Sequence, residues 1–273
     1  YTIDNAFTLD GGTVHGEDGL YDLTGAMTLA AGGGTLSGKW STKGITVSGL
    51  ISGSGALTID EKTSSQSGLV VLTNNNTYTG GTTVDGGTLK LTGSRSIGNG
   101  GLTVNNGGTF SIANDDFNSL GGAITVNEGG TLSTDSTGGG NAHNIGAITL
   151  NGGTLSSSGN TWSEGNWILN GDVTVGGSAL STISGLAVGS KSGGGTYNVA
   201  DSVAGAGTDL LVSAEIKLGS LTKTGTGTME LTGTGSYTGD TTVSEGTLSL
   251  ASSYTHTGTG AFIVEGGTLN IAD

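Results

Sequence analysis

Thr83-Val84-Asp85-Gly86-Gly87-Thr88-Leu89-Lys90-Leu91 reads as strand, turn, strand. Leu89 and Leu91 share one face of a strand, because successive side chains of an extended chain alternate in direction. Val84 precedes Leu89 by five residues, an odd spacing that no straight strand reconciles with both side chains pointing inward. The glycine pair between them is therefore a corner, where the missing Cβ admits positive φ. The same spacing separates Leu9 from Val14, Leu150 from Leu155, Val243 from Leu248 and Val264 from Leu269, while Val104 to Phe110 and Val126 to Leu132 use six residues.

Working outward, Gly-Gly-Thr followed by an apolar or aromatic residue recurs at 11–14, 86–89, 107–110, 129–132, 152–155 and 266–269, with near copies at 33–36, 194–197 and 245–248. Thr88, Thr109, Thr131 and Thr154 are 21, 22 and 23 residues apart. A period this short is one coil of a stacked β structure. The expected fold is all-β, a parallel β-helix of 21–23 residues per coil in which each strand pairs with its equivalents above and below. Dividing the chain by that period gives about 13 coils at roughly 4.8 Å each. Helices should be scarce, since glycine, threonine and β-branched residues dominate and apolar spacings of three and four are missing. The repeats continue on both sides of every interruption, so 1–273 reads as a single continuous repeat domain. The irregular segments Asp60–Ser67, Ala113–Leu120, Ser133–Ile145 and Ser156–Trp167 are expected to protrude as loops.

Composition agrees with that reading. The 273 residues include 57 glycines and neither proline nor cysteine. Collagen requires a strict three-residue glycine repeat with proline, and disordered tracts lack the regular Val, Ile and Leu present here. Only 11% of residues are charged and 5% aromatic, so Val, Leu, Ile and Thr must fill the interior. A net charge of -14 disfavours nucleic acid and anionic membranes as partners. Disulfides and thiolate metal sites are excluded with cysteine. No apolar run approaches the length that spans a bilayer, so direct membrane insertion is not expected. The sequence starts at Tyr1 rather than Met, as expected of a processed or excised piece of a longer protein.

Reactive constellations were sought against this background. The adjacent acidic pairs are Glu17-Asp18, Asp60-Glu61 and Asp115-Asp116; neighbours on a strand point to opposite faces, so such pairs converge only in loops, and solvated turn residues are the expected reading. Arg95, the sole arginine, has no acidic neighbour in sequence. His15, His143 and His256 show no metal-ligand spacing. No Gly-x-Ser-x-Gly elbow occurs, and the phosphate-loop spacing of Gly33 to Lys39 fails because Trp40 stands where Ser or Thr should bind magnesium. Catalytic residues, metal and cofactor are therefore expected to be none. Trp162 and Trp167 in one irregular stretch, and Trp40, are the candidates for stacking on a surface glycan.

Two stretches align without a gap: Gly68–Leu91 (GLVVLTNNNTYTGGTTVDGGTLKL) and Gly227–Leu250 (GTMELTGTGSYTGDTTVSEGTLSL), identical at 13 of 24 positions. The shared pattern is carried by Tyr78, Gly80, Thr82, Val84, Gly87 and Leu89, and again by Tyr237, Gly239, Thr241, Val243, Gly246 and Leu248. It resembles the autotransporter-associated β-strand repeat of Gram-negative autotransporter passenger domains and related giant surface or fibre proteins. The resemblance implies a right-handed β-helix at the bacterial cell surface, outside the cell, with adhesive or structural duty. At equivalent repeat positions, Tyr78 and Tyr237 read as structural plugs at a corner. Both termini fall inside the strand pattern, so the expected partners are further coils of the same chain or copies of itself stacked end to end, besides surface glycans. The rival reading is a carbohydrate-active β-helix enzyme or a phage tailspike-like glycan-binding protein.

Overall fold

Alternating apolar residues set between glycine corners build strands. In the computed structural model, described for residues 1–61, 68–92, 97–113, 120, 122–136, 142–159, 166–190, 193–205 and 207–273, every regular element is β. Among the described residues no helix is long and apolar enough to cross a membrane. The chain divides into two compact units, Tyr1–Ile124 with Gly129–Gly140, and Thr125–Glu128 with Asn141–Asp273. Each is a parallel β-solenoid and is described by itself.

One coil of the N-terminal unit runs Gly44–Val47, Ile51–Gly53, Leu57–Glu61, then Leu69–Leu72, which lies beside its own starting strand. These strands define first, third and second faces, and each pairs in parallel with its counterpart in the adjacent coil. Register places Ile45, Val70, Leu89, Phe110 and Leu132 in one column through the first face. None of the five is more than 1% exposed. Removing such a side chain from water contributes about 1.5–3 kcal/mol, so the column alone accounts for much of the drive to stack. The opposite side of the same strands aligns Thr88, Thr109 and Thr131, β-branched residues suited to a pleated, half-covered surface.

The corner inferred from Val84 and Leu89 is present. Thr82–Val84 belongs to the second face and Gly87–Thr92 to the first, and both Val84 and Leu89 are fully buried. Gly87 turns the chain at φ 67°, and a Cβ there would strike the carbonyl oxygen of Gly68 in the preceding coil.

In the C-terminal unit the coil order is the same. Its first face stacks Leu155, Ile183, Val212, Leu231, Leu250 and Ile271. Its third face stacks His143, Trp167, Val188, Ile216, Gly235 and His256. Gly246, at φ 65°, repeats the turn of Gly87 against the carbonyl of Gly225, with Val243 and Leu248 buried on either side.

Two details depart from a uniform period. The Gly-Gly-Thr copies at 11–14 and 33–36 open second-face strands, with Thr13 beside Thr35, whereas those at Thr88, Thr109 and Thr131 open first-face strands. The triplet marks a corner and not a particular face. Coil length also varies, from 19 residues between Leu211 and Glu230 to 29 between Thr182 and Leu211.

Candidate functional site

Polar side chains gather on the outer side of the second face in the N-terminal unit. Strands Gly12–Gly16, Gly34–Gly38 and Leu57–Glu61 pair in parallel, so His15 stands beside Ser37 and Ser37 beside Asp60. With Thr13 and Thr35 these residues line a groove of about 470 Å³. Because Leu36 and Ile59 point inward, the pleat turns their neighbours Ser37 and Asp60 outward. His15 Nδ1 lies 3.0 Å from Ser37 Oγ, and His15 Nε2 lies 3.3 Å from Glu17 Oε1, so the imidazole is held at both nitrogens. Ser37 is only 4% exposed. Asp60 is exposed and makes no hydrogen bond or ion pair among the described residues.

Next to the groove, Glu17 and Asp18 converge on one cation. Lys39 Nζ donates to Glu17 Oε2 at 3.4 Å and to Asp18 Oδ1 at 3.0 Å. Trp40 Nε1 donates to Asp18 Oδ1 at 2.8 Å, and the Lys39 ammonium sits 5.7 Å from the centre of the indole. The hydrogen bond from Trp40, followed by that from Lys39, holds the Asp18 carboxyl below its ordinary range. Asp18 is thus an ionised anchor for the half-buried indole, a state unsuited to donating a proton to a glycosidic oxygen.

The other candidates from sequence lie elsewhere. Trp167 is 1% exposed, donates through Nε1 to Ser156 O at 2.7 Å and packs against His143 with ring centres 5.6 Å apart. It presents no face to solvent. Its strand, Trp167–Leu169, is buried at every residue. Trp162, Arg95, Asp115 and Asp116 lie outside the described residues, as does much of each segment expected to protrude. Trp40 belongs to the N-terminal unit and Trp167 to the C-terminal one. Among the described residues, no three His, Asp or Glu side chains are grouped so as to hold a metal ion.

Tyr78 and Tyr237 occupy equivalent positions in their coils. Both are fully buried, and their hydroxyls lie 2.6 Å from Thr82 Oγ1 and Thr241 Oγ1, respectively. Burial pushes the Tyr78 phenol up to about 12, beyond any role as an acid at ordinary pH. Gly80 and Gly239 pass so close to the preceding coil that a Cβ would collide with the backbone of Gly55 or Gly219. Each pair of tyrosine and threonine therefore ties the third face to the start of the second inside one coil.

The groove itself was missed in sequence, although the signal was available. Adding one coil length to His15 gives Ser37, and another gives Asp60, a column that no local motif displays.

A parallel β-solenoid with glycine corners, two equivalent tyrosine-threonine ties and polar outer columns defines a class of extended repeat protein. The comparisons give that class its particulars: residues 63–91, 221–250 and 245–271 match the passenger-associated-transport-repeat, so the chain is similar to autotransporter passenger repeat proteins. It is also 33% identical over 248 residues to the adhesin BmaC autotransporter of Brucella suis biovar 1 (strain 1330). That alignment covers 90% of this chain and 5% of the adhesin, so the chain spans a small fraction of its relative's length. No solved structure matches at a significant level.

Proposed function

We propose that this chain is part of a bacterial cell-surface passenger whose β-solenoid acts as an adhesive and structural scaffold outside the cell, without catalytic chemistry of its own. The observation that carries the reading is the match between the passenger repeats and the coils: the residues shared by both copies are the corner glycines, the tied tyrosines and the inward Val and Leu. Similarity to an adhesin over most of the chain supports the adhesive part. Within the reading, further coils stack on the last one, either from the same polypeptide or from a second copy. Phe262, Ile263, Val264 and Ile271 are between 36% and 67% exposed there, and an adjoining parallel coil would cover them while pairing the open strand edge.

The decisive experiment displays the chain on a non-adherent bacterial strain and counts cells retained on epithelial monolayers and on immobilised extracellular matrix. Retention well above that of a strain displaying an unrelated solenoid of equal length is the expected result. Retention equal to that control refutes the adhesive role. Sedimentation of the purified chain over a concentration series tests stacking between copies, which requires species that grow with concentration. A single monomeric species at all concentrations leaves only coils of the same polypeptide.

A further inference from the structure

We propose that the groove over His15, Ser37 and Asp60 binds a neutral hexose unit of a glycan chain. The inference rests on the surface-adhesive reading and gives it a site and a ligand class.

Chemistry selects the ligand. Asp60 supplies a carboxylate with no partner among the described residues, an acceptor able to take two hydroxyl donors. Thr13, Thr35 and Ser37 supply hydroxyls that both donate and accept, and the His15 ring is oriented by Ser37 and Glu17 before any ligand arrives. A surface offering convergent donors and acceptors in a fixed array, interspersed with apolar carbon such as the threonine methyls, suits a polyol, whose ring presents both hydroxyls and C–H groups. Dimensions agree: strands one coil apart stack at about 4.8 Å, so the column from His15 to Asp60 runs roughly 10 Å. That length accommodates one pyranose ring and part of the next.

Charge narrows the class further. Glu17, Asp18 and Asp60 stand at or beside the groove, and the chain carries a net charge of -14. Lys39, the nearby cation, is already engaged by both Glu17 and Asp18. Among the described residues a uronic or sialic acid would meet three carboxylates there against Lys39, already paired, and Lys43, whose charge reaches Asp18, whereas a neutral sugar would meet no such repulsion. Trp40 lies three residues past Ser37 in the chain, its N–H committed to Asp18 and its ring braced by Lys39, which fixes the acidic pair beside the groove.

The test titrates the purified chain with cellohexaose, maltohexaose and mannohexaose, and with 3′-sialyllactose and a hexamer of galacturonic acid, while following the His15 ring signals by NMR. Saturable binding of at least one neutral hexamer, with movement of those signals, is expected. Asp60→Ala should weaken it roughly ten-fold or more, the effect of losing charge-assisted hydrogen bonds, whereas Thr109→Ala, on the outer column of the first face, should leave it unchanged. Failure of all three neutral hexamers to bind, binding undiminished in Asp60→Ala, or binding of the acidic sugars alone would overturn the proposal. Melting curves of both variants establish that each is folded. Adhesion of bacteria displaying Asp60→Ala separates the two ideas. If the wild-type chain adheres but binds no sugar, the groove proposal falls and the surface reading stands. If it binds a neutral hexamer through Asp60 yet fails to adhere, the surface reading falls.

Discussion

The second face is built differently inside the two units. In the N-terminal unit it turns Leu36, Ile59, Val84 and Val104 inward, one above the next. In the C-terminal unit the corresponding column is Ile148, Val173, Tyr197, Lys223 and Val243. Lys223 is fully buried in that column, and its Nζ donates to the carbonyl oxygens of Thr224 at 2.8 Å, Gly225 at 2.7 Å and Glu245 at 3.1 Å. These carbonyls belong to the corners of successive coils, including the glycine turn before Leu248. Both units keep the same strand alternation and the same corners. The solenoid thus requires correct alternation and corner geometry at every coil, while the chemistry of an inward position is free to be ionic where corner carbonyls converge on it.

The comparison can be broken first at its common ground. Leu89→Ala and Leu248→Ala remove equivalent, fully buried side chains from the two units. Each should cost about 2–5 kcal/mol in urea denaturation, the range for truncating a core leucine. A cost under 1 kcal/mol for either would show that its unit is packed loosely. Next comes the difference itself. Lys223→Met keeps the length of the side chain and deprives three carbonyls of their donor, for an expected loss of about 1–3 kcal/mol. A neutral outcome would mean that the amine is merely tolerated at this corner.

A smaller effect sharpens the likeness between the repeats. Tyr78→Phe and Tyr237→Phe each leave one threonine hydroxyl without its partner, and each should cost about 0.5–1.5 kcal/mol. Unequal costs would point to the surroundings of Tyr237, whose ring packs 5.0 Å from that of His256. Titration gives the finest comparison. Burial pushes the Lys223 amine down to about 8 from 10.5, with Glu245 and Asp209 opposing the shift. Between those values the unfolded chain holds a proton that the folded one has released, so this group adds stability as pH rises through the window. Lys223→Met should abolish that gain in melting experiments. His256 works at the other end of the scale. Burial lowers its ring below 6.5, so stability falls as pH drops under 6.5 and the unfolded chain takes up the proton first. His256→Phe should flatten that acid limb.

Much of this architecture is legible in the sequence because it rests on two local rules. The odd spacing of Val84 and Leu89 reveals a corner, and the recurrence of Thr88, Thr109 and Thr131 reveals the stacking. What escapes is whatever depends on several coils at once. His15, Ser37 and Asp60 are distant in sequence and unremarkable singly; register alone makes them a groove. Trp167 and Lys223 escape for another reason. Leu221 and Lys223 alternate in a way that places both inward, but a lysine is ordinarily assigned to solvent, and the acceptors that reverse this assignment come partly from Glu245 in the next coil. Trp167 likewise finds its interior partner, the carbonyl of Ser156, eleven residues earlier.

The glycine corner that opens a second-face strand at Thr13 and a first-face strand at Thr88 has a consequence for how such a chain can change in length. Every strand answers only to its counterparts immediately above and below, and the same tripeptide turns the chain into either the first or the second face. A coil can therefore gain or lose residues at an edge, as the span from Thr182 to Leu211 has done relative to that from Leu211 to Glu230, while the columns on either side stay aligned. Insertions become ornaments on a conserved staircase, and new surface chemistry can be tried at one edge without renegotiating the interior.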